Sequence, residues 1–271
     1  MSNPPVCNIE CSARNCILEI IINGLKVCRK NAANGLAFNY PFNTEVIGKG
    51  NKILVRAYPT VANDGKIATF DDVWISGAIK QYGTDDISGP ENGRIISAID
   101  FEIVKQNRQK DAGIIPNLAA LFPISETYSF DNEDGLSFKD RLIDAPVIKD
   151  ENVVLDYARH LRELIQQRNT KELFEEYKTK LDDYDNAYPD QKEEDNFEWF
   201  KKLMEKKYYP RGPVDDFKDE ELLLVPWCDG RVWEIALKPD RAFFCTKGLN
   251  GKRLSIEVFV GMIDNKLRII R

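Results

Sequence analysis

The spacing of the apolar residues changes twice along this chain, and that change limits the fold more than any motif does. From Cys16 to about Phe130, short β-branched or alternating runs are separated by Gly, Asn, Asp and Pro, the punctuation of strands and turns. After Pro146 the apolar residues recur at three- and four-residue steps, the period of one face of a helix. From Glu221 onward they alternate again. A sheet face or a helical stripe must be covered by another layer. The pattern therefore predicts two domains: an all-β sandwich over residues 1–147, then an α+β domain over 148–271 with three helices on a curved antiparallel sheet. At 271 residues the chain is long enough for each to bury a core of its own.

In the first half, strands are expected at Ile17–Ile22, Leu25–Lys30, Lys52–Tyr58, Val73–Tyr82, Arg94–Val104 and Phe122–Phe130. Asn23-Gly24 has the composition of a two-residue hairpin turn, which sets Ile22 against Leu25, Cys28 against Glu19 and Cys16 against Asn31. That register puts Leu18, Ile20, Ile22, Leu25 and Val27 on a core face, with Glu19, Lys26, Cys28 and Lys30 on a wetter one. Cys7, Cys11, Cys16 and Cys28 crowd the start of the chain, apart from Cys228 and Cys245. Their spacing contains no Cys-x-x-Cys knuckle and no His lies nearby, so no metal site is assigned. The expected register also keeps Cys16 and Cys28 apart, and reduced thiols are expected.

In the second half, Val154, Tyr157, Leu161, Leu164 and Ile165 predict a helix over Glu151–Arg168. Leu173, Phe174, Tyr177 and Leu181 predict a second, capped by Thr170, and Phe197, Phe200, Leu203 and Met204 a third. The acidic run Asp182–Asp195 is expected to be a solvated connection. Strands follow at Glu221–Trp227, Arg231–Leu237, Arg241–Thr246, Leu254–Met262 and Lys266–Ile270. Turns at Cys228-Asp229-Gly230, Lys238-Pro239-Asp240, Gly248–Gly251 and Asp264-Asn265 join them into an antiparallel meander.

Two resemblances arise from these patterns. Ile22-Asn23-Gly24 followed by the segment from Pro41 to Val55, about 40 residues in all, resembles the turn chemistry of jelly-roll and immunoglobulin-like accessory sandwiches of bacterial proteins. Three helices followed by a curled sheet, closing on Phe259-Val260-Gly261-Met262-Ile263-Asp264-Asn265-Lys266-Leu267, resemble the nuclear transport factor 2-like, or SnoaL-like, cone over residues 150–271. That family includes isomerases, hydrolases and dehydratases as well as non-catalytic binding modules, so the resemblance implies a fold and leaves the activity open.

Composition narrows the function classes. The formal charge of −6, with Lys and Arg interleaved among Asp and Glu, disfavours nucleic acid as a partner. No window approaches a bilayer-spanning apolar length, so no membrane partner is expected. The start, Met-Ser-Asn-Pro-Pro-Val-Cys, lacks a basic segment followed by an apolar stretch, which makes the cytoplasm the default expectation. There is no Gly-x-Ser-x-Gly elbow and no phosphate- or dinucleotide-binding glycine loop, so no catalytic residue and no cofactor is assigned. His160 is the single histidine, which excludes a multi-histidine metal site.

Two classes of function remain. In the first, the chain is a non-catalytic module that binds another protein, a basic one by its charge, in an accessory or immunity role in bacteria. Self-association would then use the outer sheet face around Glu234, Glu257 and Phe259. In the second, the cone holds a small molecule or substrate, as an isomerase- or hydrolase-type enzyme would, with Tyr157, His160, Trp227, Trp233 and Phe243 as pocket lining. By strand alternation Glu257 and Glu234 face away from that pocket.

Overall fold

The computed structural model describes residues 4–61, 65–83, 92–112, 121–132, 136–191, 194–211, 217–238, 241–246 and 254–271. The chain mixes helices with several antiparallel sheets and forms two compact units, Met1–Phe138 and Lys139–Arg271. No helix among the described residues is long and apolar enough to cross a membrane.

The first unit is β-rich. Its strands are β1 (Val6–Arg14), β2 (Ile17–Ile22), β3 (Leu25–Asn31), β4 (Leu36–Pro41), β5 (Asn51–Tyr58), β6 (Trp74–Tyr82), β7 (Arg94–Asp100) and β8 (Ile124–Phe130). They form two four-stranded antiparallel sheets, ordered β4-β1-β6-β7 and β3-β2-β5-β8. Leu18, Ile20 and Ile22 of β2 and Ile53 and Val55 of β5 are fully buried. Each such side chain contributes about 1.5–3 kcal/mol relative to exposure.

Three expectations are corrected here. First, β1 and β4 are strands that the sequence reading passed over. Second, the Asn23-Gly24 hairpin forms with Ile22 against Leu25, but a bulge between Ile20 and Ile21 shifts the register beyond it, so that Cys28 faces Ile20 and Glu19 faces Arg29. A bulge leaves one residue without a partner. Val27 is that residue, and Cys28 takes the buried position expected for it. Cys16 is joined to Ala32, not Asn31, through backbone hydrogen bonding. Third, the run expected as a strand to Val104 ends at Asp100, where α1 (Phe101–Ala112) begins. The Asp100 carboxylate accepts from the Glu102 N–H and so serves the first turn of that helix.

The segment from Pro41 to Val55 is held by buried amides. Asn23 Nδ2 donates to the Glu45 carbonyl at 2.7 Å and to Asn51 Oδ1 at 2.9 Å, while Asn23 Oδ1 accepts from the Lys52 N–H at 2.8 Å. Asn51 Oδ1 also accepts from the Ile47 N–H, and its Nδ2 donates to the Gly48 carbonyl. Two asparagines thereby supply the partners that a buried loop would otherwise lack.

In the second unit, α2 (Lys139–Leu142) precedes α3 (Glu151–Gln166), α4 (Thr170–Ala187) and α5 (Asn196–Leu203), the last running into a π-helical turn at Met204–Tyr208. Asp150, Asn169 and Asp195 cap α3, α4 and α5. Asn169 thus takes the capping role expected of Thr170, which is the first helical residue. The strands are β9 (Leu222–Trp227), β10 (Val232–Leu237), β11 (Arg241–Ala242), β12 (Phe244–Cys245), β13 (Ser255–Ile256), β14 (Val258–Ile263) and β15 (Lys266–Ile269). The main sheet is ordered β11-β10-β14-β15 with β9 also on β10, and β12 pairs with β13. The tight turn into β15 uses Asp264 and Asn265, both with positive φ. Pro239, Asp240 and the turn Gly248–Gly251 lie outside the described residues.

Helix α4 lies along β15. Arg268 Nη1 donates to Glu176 Oε2 at 2.8 Å, and Arg271 Nη1 donates to Asp183 Oδ2 at 2.8 Å. The spacing matches: seven residues of helix and three of strand each advance about 10 Å. Asp183 is buried and also faces Arg141 Nε at 3.4 Å. The acidic run from Asp182, expected to be a solvated connection, therefore begins inside α4 and supplies a structural ion pair.

Candidate functional site

The five pocket candidates of the second unit do not share one environment. Trp233 and Phe243 belong to the core with Ile235, Val258 and Val260. Phe243 lies 4.7 Å from the Phe244 ring and 5.2 Å from that of Phe217. The indole N–H of Trp233 donates to the Gly230 carbonyl at 3.2 Å, and that of Trp227 donates to Glu234 Oε2 at 3.0 Å. Glu234 of β10 and Phe259 of β14, expected on a solvent-facing row, are buried because both faces of β10 and of the first half of β14 are covered, and of the three interface candidates Glu257 alone is exposed.

Tyr157 and His160 converge on a residue that the sequence reading did not single out. Tyr157 Oη donates to Glu176 Oε2 at 2.5 Å, Arg268 pairs with the same oxygen, and His160 Nε2 stands 3.8 Å from Glu176 Oε1. Burial, followed by the Glu176 charge, holds the Tyr157 hydroxyl well above its ordinary pKa, so it stays a proton donor near neutrality. Glu176 is engaged by a tyrosine and an arginine, an arrangement that braces α3, α4 and β15 together. One further polar atom stands out: Tyr177 Oη is buried with no hydrogen-bond partner among the described residues, beside the rings of Phe200 and Phe244. Burial raises its pKa as well.

The first unit carries an open groove of about 450 Å³ on the β4-β1-β6 face. Its shape follows from the register. Arg14 faces Trp74 at one end, then Ala37, Ser12 and Ser76 form a row of small side chains across three strands. Asn39, Glu10 and Ala78 form the next row, and Asn8 opposite Lys80 closes the far end. Small residues between larger rows leave the depression. At the closed end Lys80 Nζ is 3.1 Å from Glu10 Oε2, while Glu10 Oε1 accepts from Asn8 Nδ2 at 3.4 Å and from the Tyr82 hydroxyl. Gly77 is required behind this surface, since a Cβ there would lie 2.1 Å from the Glu10 carbonyl.

Comparison with family models, curated proteins and solved structures finds no match to this chain.

Among the described residues, no three His, Cys, Asp or Glu side chains come together as a metal-ligand set. All six cysteines are buried, and desolvation pushes the Cys11, Cys16 and Cys228 thiols up to about 12, which keeps them protonated and unreactive near neutrality. The groove residues were within reach of sequence reasoning. Cys7, Ile9, Cys11 and Ala13 alternate with Asn8, Glu10, Ser12 and Arg14, a period-two strand signal.

Proposed function

We propose that the chain is a non-catalytic protein-binding module, its N-terminal unit a β-sandwich and its C-terminal unit a nuclear transport factor 2-like cone. The observation that carries this reading is the groove on β4-β1-β6, which is open and lined by neutral small residues along most of its length. The charged side chains of its lining, Glu10 and Lys80, pair with each other at the closed end. A cleft of this size accepts a projecting loop or a short extended segment of a partner. With a net charge of −6 the chain favours a basic partner, such as a nucleic-acid-attacking toxin whose neutralisation would be an immunity role.

A second reading, a small-molecule site inside the C-terminal unit, is favoured by the buried Tyr177 hydroxyl, because an unpaired buried hydroxyl costs about 1–3 kcal/mol. Full-length variants separate the two. Ser76→Tyr fills the groove and is expected to lose a co-purifying protein partner, whereas Tyr177→Phe is expected to retain it. A partner that stays bound to Ser76→Tyr sinks the groove assignment. A bound small molecule seen by native mass spectrometry, and lost only in Tyr177→Phe, moves the function to the second unit.

A further inference from the structure

The closed end of the groove holds three side chains whose chemistry the binding role does not use. Asn8 and Lys80 are direct cross-strand partners on β1 and β6, which places their Cβ atoms about 4.5–5.5 Å apart. Both are buried, each 5% exposed, as is Tyr82 beside them. Glu10, on the same face of β1 as Asn8, bridges the pair: one carboxylate oxygen takes the Lys80 ammonium and the other takes the Asn8 carboxamide. Asn8 Oδ1 is buried with no hydrogen-bond partner among the described residues.

We propose that Lys80 and Asn8 become joined by an intramolecular amide bond, with Glu10 as the proton shuttle. Lys80 passes one proton to Glu10, a transfer that removes the charge of the buried ammonium together with that of its half-buried partner. The Nζ lone pair then attacks Asn8 Cγ, and the carbonyl π electrons move onto Oδ1. Glu10 delivers its proton to Nδ2 and takes one from the newly bonded Nζ. Collapse of the tetrahedral carbon re-forms the carbonyl and breaks the Cγ–Nδ2 bond. Ammonia leaves and carries off the proton remaining on Glu10 as ammonium. The net change converts one lysine ammonium and one asparagine carboxamide into a secondary amide and ammonium, with no oxidant or co-reactant. Proximity supplies the rate, since both reacting groups are fixed by one carboxylate. The product ties β1 to β6 covalently and restricts the unfolded chain as a disulfide closing the same loop would.

The test is the intact mass of the purified full-length chain, read together with peptide mapping. A deficit of about 17 Da against the sequence mass is expected, with a branched peptide containing Asn8 and Lys80. Succinimide formation at Asn23-Gly24, Asn34-Gly35, Asn92-Gly93 or Asn250-Gly251 would lose the same ammonia. Lys80→Met is therefore the second arm, and there the deficit is expected to vanish. Glu10→Ala, if circular dichroism shows it folded, is expected to keep the full mass. A wild-type chain at its full sequence mass, or a deficit that persists in Lys80→Met, overturns the proposal, and the wild-type measurement decides even if neither variant folds.

Discussion

Asn51 has no exposed surface, and its side chain makes three of the hydrogen bonds that hold the loop before β5. Its value lies less in the bonds themselves than in the groups that would be stranded without it: the Ile47 N–H, the Gly48 carbonyl and part of Asn23. Asn51→Ala is expected to destabilise the first unit by about 2–4 kcal/mol, measured by urea unfolding, because each buried group left unpaired costs more than a hydrogen bond gains. An effect below about 1 kcal/mol would mean that the loop relaxes and finds other partners. This network was half legible beforehand. The Asn-Gly turn and the glycines around Asn51 signal positive φ and tight turns, but composition does not say that two distant asparagines meet.

The ion pairs along α4 work between elements. Asp183 is buried against Arg271, just past the end of β15, and against Arg141 of α2, so its removal takes the shared carboxylate from two guanidinium groups, of which that of Arg271 is buried. Asp183→Ala is expected to cost about 3–5 kcal/mol, the range for breaking a buried pair from one side, and hydrogen exchange should show early opening of β15. The pair between α3 and the turn before β9 behaves differently. Asp219 accepts from Arg159 at 2.7 Å on a well-solvated surface, and the hydrogen bond with Arg159 holds its carboxyl below the ordinary carboxylate pKa. A lowered folded-state pKa adds stability above the unfolded value of about 3.9, lost as pH falls through the folded value. The stability gap between wild type and Asp219→Asn should accordingly be present at pH 6, narrow below about pH 4 and close under the folded pKa, as followed by urea titrations across that range. A gap that is constant with pH would assign the effect to packing. Helix periods were readable at this scale, yet the acidic stretch from Asp182 was not, because charge in a sequence looks solvated whether or not an arginine waits across a sheet edge.

Over the whole molecule, 38 Lys and Arg against 44 Asp and Glu give a modest negative field, and the pI of about 5.1 places the solubility minimum near pH 5. If the partner is basic, capture should weaken as salt rises from about 50 to 300 mM, since that shortens the screening length from above 10 Å to below it, and surface plasmon resonance of the pair would show the change mainly in the association rate. Capture indifferent to salt would point to contacts made by the small apolar residues of the groove instead. By itself the sequence determined the β-rich first half, the three helices of the second and the sheet that follows them, because apolar periodicity and turn residues are local properties of the chain. The tertiary structure decided the rest. A one-residue bulge exchanged Val27 for Cys28 in the core, α4 drew Glu176 onto Arg268 of β15 and Asp183 onto Arg271 just beyond it, and strand pairing set Asn8 against Lys80. The physical reason is common to all three: register and side-chain partnership are fixed by residues far apart in the chain, and local spacing carries no record of which distant strand or helix will lie alongside.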